Sequence, residues 1–113
     1  MTKRESIKTF YKALHNAIDA AYARSNTPDD GTCNLDTPVV YYGPIWQEYR
    51  LSKADVSEVI ERAGLRAYPY GRECVMIGGA TIGQAYRRTL MAETFADSLK
   101  ESGFSAGVYY MID

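Results

Sequence analysis

Residues 65–79 read LRAYPYGRECVMIGG, and they decide the fold because they contain two strand candidates joined by a tight turn. The turn is YGRE, residues 70–73, where a glycine permits the chain to reverse. The second candidate carries the apolar run Cys74 to Ile77. The first carries Pro69, which lacks the N–H that an inner strand would donate. The pattern therefore predicts a hairpin whose first strand lies at the edge of a sheet.

Two further strand candidates lie outside this hairpin. TPVVYYG, residues 37–43, is an apolar, β-branched and aromatic run, and AGVYYMID, residues 106–113, has similar character. The segment PIWQEYRL, residues 44–51, fits either a helix or irregular structure. The sequence thus predicts four strands.

Three segments place apolar residues at the intervals of three and four that are typical of helices, and each opens with a capping-box spacing. The pairs are Thr2 with Glu5, Ser52 with Asp55, and Thr81 with Gln84. Gly64 and Gly103 predict the ends of the second and third helices. The residues expected to face the core in the third helix are Ile82, Ala85, Tyr86, Thr89, Ala92, Phe95, Ala96 and Leu99.

After the first helix, these elements run strand, helix, strand, strand, helix, strand. That order predicts an α+β fold with a ferredoxin-like βαββαβ sheet and an added N-terminal helix. The 113 residues fit a single domain, 1–113, with residues 1–25 as the added helix and 37–113 as the βαββαβ core. The first and third strands, which are the most apolar, are expected at the centre of the sheet.

Composition limits the classes of function. The formal net charge is −1, so no global positive field would attract nucleic acid, and direct nucleic-acid binding is not favoured. No apolar stretch is long enough to span a bilayer, and the N-terminus lacks the apolar region of a signal peptide. We therefore expect a cytoplasmic protein with no membrane contact, in which the two cysteines are reduced thiols.

Tyrosine is unusually abundant, with ten residues. Aromatic residues favour strands, which explains many of them. They are also enriched at protein interfaces, because a tyrosine offers a large stiff body with a polar tip. The candidate interaction residues are Tyr41, Tyr42, Tyr68, Tyr70, Tyr109 and Tyr110.

The loop DDGTCNLD, residues 29–36, combines carboxylates with a thiol. Cys33, Asp30 and Asp36 are a weak candidate zinc site, because thiolate and carboxylate both bind zinc, although a structural site usually needs four ligands. The alternative is a turn in which Asp36 accepts backbone hydrogen bonds and Cys33 packs as a small apolar residue. Turn chemistry is favoured, so no cofactor is expected.

The stretch IGGATIGQAYRR, residues 77–88, is a weak candidate for a ligand or anion site. Gly78, Gly79 and Thr81 stand between a strand and a helix, where backbone amides can hold a phosphate, and Arg87 follows. The spacing matches neither the P-loop nor the dinucleotide pattern. An ordinary turn before a helix is the favoured alternative.

Catalysis has little support in the sequence, and we predict that the protein is not an enzyme. His15 is the one histidine, so a cysteine-dependent enzyme would have to pair it with Cys33 or Cys74. No sequence signature accompanies either pairing.

The stretches DGTCNLDTPVVYY, residues 30–42, and YRRTLMAETFADSLKESGFSAGVYYMID, residues 86–113, resemble small phage- and prophage-encoded proteins that share a Gly-Thr-Cys-Asn-x-Asp loop and an arginine-rich last helix. Cys33, Asn34 and Asp36 are the loop positions that match. Some small proteins of this origin are anti-CRISPR proteins, which block a Cas effector by binding it. The resemblance implies a stoichiometric inhibitor acting in the bacterial cytoplasm.

The leading hypothesis is therefore a protein-binding module, a phage-encoded inhibitor of CRISPR–Cas immunity whose partner is a host protein such as a Cas effector. The alternative is a small protein that binds nucleic acid or a phosphate ligand through the glycine-rich turn. The oligomeric state is left open.

Overall fold

The computed structural model describes residues 1–28, 35–82 and 85–111. These residues form helices and strands that we number in chain order. They are α1 (Lys3–Tyr22), β1 (Thr37–Tyr41), α2 (Tyr42–Tyr49), α3 (Lys53–Arg62), β2 (Arg66–Tyr70), β3 (Cys74–Gly78), α4 (Ala85–Glu101) and β4 (Ala106–Tyr109).

The strands form one antiparallel sheet in the order β2-β3-β1-β4. This confirms the predicted α+β fold with a ferredoxin-like order, in which β1 and β3 are central and β2, with Pro69, lies at an edge. The register is fixed by the pairs Val39↔Met76 and Val39↔Gly107, and Tyr68 pairs with Met76 from the other side. One row of residues thus crosses all four strands.

The helices cover one face of this sheet. Helix α3 packs on β2, α4 packs on β1 and β4, and α1 packs on α3 and α4. Strand residues that point toward the helices join the core, and they alternate with residues that point away. The core-facing members are Val40, Val75, Ile77 and Ala106, with Ala67 and Val108 at its margin. The opposite face, which we call the uncovered face, has no helix packed on it within the described chain.

The capping boxes of the first two predicted helices are both present. Glu5 N–H donates to the Thr2 hydroxyl at 3.1 Å, and Asp55 N–H donates to the Ser52 hydroxyl at 3.1 Å. The backbone N–H of Ser52 donates in return to the Asp55 carboxylate, and this bond is the main reason why the pKa of Asp55 is lowered. Lys3 lies 3.2 Å from the same carboxylate, so the start of α1 is tied to the start of α3.

Three boundaries differ from the predictions, and one of them is the last strand, which was predicted over residues 106–113 but ends at Tyr109. The strand predicted over residues 37–43 ends at Tyr41, and the ambiguous segment that follows is helical, because Ile45 is buried in the core and Pro44 lies in the first helical turn, where its missing N–H costs nothing. Ile82 and Tyr86 were expected to face inward, but they are 40% and 53% exposed. Helix α4 begins at Ala85, so Ile82 precedes it. Gln84, half of the predicted capping pair, lies outside the described residues.

Asp36 anchors the beginning of β1 to two distant parts of the chain. Its carboxylate is buried and accepts hydrogen bonds from the Thr89 hydroxyl at 2.7 Å and from Met111 N–H at 2.9 Å. Its carbonyl accepts from Arg88 Nε at 2.9 Å, and Leu35 N–H donates to the Met111 carbonyl at 2.9 Å. A single residue therefore joins a central strand, α4 and the segment after β4.

We expect Asp36→Ala to lower the free energy of unfolding by about 2–3 kcal/mol, because it removes the buried carboxylate that accepts from the partly buried Met111 N–H and from the Thr89 hydroxyl. Thr89→Val keeps the shape of the side chain but removes the hydroxyl. It should lower the free energy of unfolding by roughly 1 kcal/mol. Urea denaturation of both single variants and the double variant measures these values. If the effects of Asp36→Ala and Thr89→Val on the free energy of unfolding add in the double variant, the two side chains are not coupled. That result would contradict the hydrogen bond between them.

Candidate functional site

Four of the six predicted interaction tyrosines share the uncovered face of the sheet. Tyr41, Tyr68 and Tyr70 are 37%, 50% and 49% exposed, and Tyr109 is partly buried. Their positions alternate with the core-facing residues of β1, β2 and β4. We call this set, Tyr41, Tyr68, Tyr70 and Tyr109, the tyrosine face.

Tyr70 and Tyr109 contact each other although they belong to strands at opposite edges of the sheet. Their hydroxyl oxygens are 3.2 Å apart, and their ring centroids are 5.1 Å apart at an angle of 58°. The hydrogen bond with Tyr109 is the main cause of the raised pKa of Tyr70. Val39, on the same face, is 3% exposed although it lies outside the core cluster.

Two glycines give the other tyrosines room to lie close to the sheet. A Cβ atom on Gly107 would be 2.9 Å from Tyr41 Oη, and one on Gly78 would be 2.7 Å from Tyr68 Cε2. A glycine in a strand often marks such a close approach, since any larger residue would lift the ring. Because Gly107 and Gly78 have no side chains, the rings of Tyr41 and Tyr68 can lie against the sheet.

The remaining two predicted tyrosines lie elsewhere. Tyr42 is 6% exposed and packs in the core, with Lys53 Nζ 5.3 Å from its ring centroid. Tyr110 is exposed, but its hydroxyl donates to Glu93 of α4 at 2.7 Å, which places it on the helix side of β4. Each adjacent tyrosine pair is split because Tyr42 begins α2 directly after β1, and Tyr110 follows the end of β4.

The uncovered face carries little charge, and the charge is positive. At the face positions of the four described strands the one ionised side chain is Arg66, and no Asp or Glu is present. Cys74 also lies on this face, where its thiol donates to the Tyr70 carbonyl at 3.5 Å. Partial burial, reinforced by the charge of Glu73, raises the pKa of the Cys74 thiol, so it is protonated at neutral pH.

The predicted anion residues are only partly brought together. Gly78, Gly79 and Thr81 line one cleft, but the arginine beside them is Arg88 rather than Arg87. Arg87 donates to the Ser25 carbonyl at 3.2 Å, beyond the end of α1. Sequence reasoning also missed Arg66, which lines the same cleft; its place two residues before Tyr68 on β2 was the available signal.

The predicted zinc residues cannot be assembled from what is described. Cys33 and Asp30 lie outside the described residues, and both carboxylate oxygens of Asp36 accept hydrogen bonds. Within residues 1–28, 35–82 and 85–111 there is no group of three or more potential metal ligands. Zinc therefore remains a minority prediction, which elemental analysis of protein purified without a histidine tag would check.

The third hypothesis, a cysteine-dependent enzyme, gains no catalytic pair among the described residues. His15 packs against Tyr11 on α1, with ring centroids 4.5 Å apart, and it makes no hydrogen bond with Cys74. Cys74 pairs with Tyr41, the last residue of β1, and Cys33 lies outside the described residues.

Comparison of the chain with protein-family models, curated proteins and solved structures finds no match. Function is therefore inferred from the residues of the chain itself. No helix in the described part of the chain is both long and apolar enough to cross a membrane.

Tyr110 provides a pH prediction. The hydrogen bond to Glu93 raises the pKa of Tyr110 to about 12. The raised value means that the bond contributes fully to stability below the ordinary tyrosine pKa of 10.0 and is lost as the pH rises through about 12. We expect an ultraviolet titration to show a tyrosine that ionises near pH 12, and this step should disappear in Tyr110→Phe. Glu93→Gln should return that pKa toward its ordinary value, and an unchanged titration in Glu93→Gln would contradict the assignment.

Proposed function

We propose that the protein is a protein-binding module and that the tyrosine face is its contact surface. The observation that carries this proposal is the exposure of Tyr41, Tyr68 and Tyr70 on a sheet face that no described helix covers. Tyrosine is suited to such a surface, because a ring with two side-chain torsions buries a large area at a small entropic cost.

The positions of the rings support this role. Tyr41 and Tyr68 lie close to Gly107 and Gly78, and Tyr70 is hydrogen-bonded to Tyr109. Side chains that are already held in place lose less freedom when a partner binds, so more of the contact energy remains as affinity. The partly buried side chains of Met76 and Cys74 lie on the same face.

The particular function that we propose is stoichiometric inhibition of bacterial CRISPR–Cas immunity by a phage-encoded protein that binds a Cas effector in the host cytoplasm. Its support is the resemblance of residues 30–42 and 86–113 to small phage-encoded proteins, together with a contact surface of the required kind. Inhibition by binding needs no catalytic group, which fits the scarcity of candidate catalytic residues.

The test is a binding and cleavage assay with purified Cas effectors, chosen after a pull-down from lysates that contain them. Tyr68→Ala and Tyr70→Ala should each weaken binding by about 2 kcal/mol, roughly 30-fold, as expected for tyrosines near the centre of an interface. Tyr22→Ala is the matched control, because Tyr22 is 50% exposed but lies on α1. Its affinity should equal that of the wild type.

Two results would reject the proposal. One is that no effector is retained and cleavage proceeds normally at a molar excess of the protein. The other is that a retained effector binds the Tyr68 and Tyr70 variants as tightly as Tyr22→Ala, which would move the contact to another surface.

A second candidate function is binding of single-stranded nucleic acid or of a phosphate ligand. The observation that favours it is the charge of the uncovered face. Its strand positions carry no acidic side chain. Arg66 and Arg88 lie at one end of this face, and Arg72 lies in the turn beyond the other end. Exposed aromatic residues on a sheet can stack bases, and arginines can bind the phosphates.

A gel shift with single-stranded oligonucleotides at increasing salt concentration tests this second function. Affinity should fall as the salt concentration rises. Arg66→Gln should reduce the slope of log affinity against log salt concentration by the amount that about one phosphate contact contributes. Tyr68→Leu should weaken binding without altering that dependence. Absence of a shift at low salt would exclude nucleic acid.

A further inference from the structure

A cleft opens at one end of the tyrosine face, where β1 begins and β3 ends. Its volume is about 360 Å³, which is within the range of small-molecule sites, roughly 300–1,000 Å³. The residues that give it chemical character are Arg66, Tyr68, Gly78, Gly79, Thr81 and Arg88. They come from β2, β3, the segment after β3, and α4.

Arg88 is held in a fixed orientation with one side of its guanidinium free. Nε donates to the Asp36 carbonyl at 2.9 Å, and Nη2 donates to Thr37 Oγ1 at 3.3 Å and to the Leu35 carbonyl at 3.5 Å. The other terminal nitrogen, Nη1, has no acceptor among the described residues. Its two N–H groups therefore remain for a ligand in a side chain that is already ordered.

Arg66 and Tyr68 line the same cleft from β2. Arg66 pairs with Gly78 across β2 and β3, and a Cβ atom on Gly78 would be 3.6 Å from the Arg66 Cβ and 2.7 Å from Tyr68 Cε2. Because Gly78 has no side chain, the ring of Tyr68 lies close over β3. Arg66 is exposed and makes no ion pair with the residues that the structure describes.

The charge of the cleft is positive. No acidic residue lines it within the described ranges. The nearby carboxylate is that of Asp36, which is buried and accepts hydrogen bonds from Thr89 and Met111, so it offsets part of the charge of Arg88 without blocking Nη1. Among the described residues, no acidic side chain forms an ion pair with Arg66.

We propose that this cleft binds a phosphate dianion between Arg66 and Arg88, either inorganic phosphate or the phosphate group of a nucleoside monophosphate whose base stacks on Tyr68. Guanidinium groups bind phosphate oxygens through paired charge-assisted hydrogen bonds, and two arginines match a dianion. The nucleotide form rests on the second candidate function. The inorganic form deepens the phosphate-ligand part of that function and does not require nucleic-acid binding.

The experiment is a two-dimensional NMR titration of the full chain with inorganic phosphate and, separately, with adenosine monophosphate, at an ionic strength held constant with sodium chloride. We expect saturable shifts of the Gly78, Gly79 and Thr81 amides. Stacking should make the nucleotide bind roughly tenfold more tightly than phosphate. Tyr68→Leu should abolish that advantage and leave phosphate binding intact.

Arg66→Gln is the decisive variant, because an exposed arginine can be changed without disturbing the fold, whereas Arg88 holds the chain around Asp36. It should weaken phosphate binding at least about fivefold. Arg72→Gln, an exposed arginine in the β2–β3 turn, is the matched control and should bind as the wild type does.

Shifts that do not saturate, or equal losses in Arg66→Gln and Arg72→Gln, would overturn the proposal. Equal affinity for phosphate and for the nucleotide would assign the cleft to inorganic phosphate. Saturable phosphate binding by a protein that fails to shift oligonucleotides would reject the nucleic-acid function while the cleft stands. None of these outcomes depends on whether the protein binds a Cas effector.

Discussion

The structure depends on one constraint, which is that successive side chains of a strand point to opposite faces while the helices lie on a single face. Val40 enters the core, so Val39 and Tyr41 must point the other way. The register then aligns Val39 with Met76 and Tyr68 in one row. A slip of one residue would exchange the core for the tyrosines, so burial of the core also fixes which residues form the tyrosine face.

The uncovered face is stabilised by its own side chains rather than by another layer. Tyr70 and Tyr109 are hydrogen-bonded to each other, and two glycines allow the rings of Tyr41 and Tyr68 to lie close to the sheet. Tyrosine suits this position because its ring covers apolar backbone while its hydroxyl stays in water. The same arrangement leaves ring faces and the cleft accessible, so one set of residues serves both stability and the proposed binding.

Local sequence patterns predicted most of the helices and strands. The predictions failed for side chains whose direction depends on tertiary packing. The capping box at Ser52 and the edge position of Pro69 depend on neighbours in sequence and on donor chemistry, and both were predicted correctly. Tyr42 was grouped with Tyr41, but it enters the core because the strand turns into a helix between them. Arg87 was chosen over Arg88, and adjacent helical residues differ by about 100° in direction, which cannot be assigned until the helix is placed on the sheet.

The most direct test of the central claim is photochemically induced nuclear polarisation, in which an excited dye enhances the NMR signals of tyrosine rings that it can touch. Single Tyr→Phe variants assign each signal. The structure predicts enhancement of Tyr41, Tyr68 and Tyr70 and none of Tyr42, which is 6% exposed. Enhancement of Tyr42 with silence from Tyr68 and Tyr70 would contradict the assignment of the two faces of the sheet.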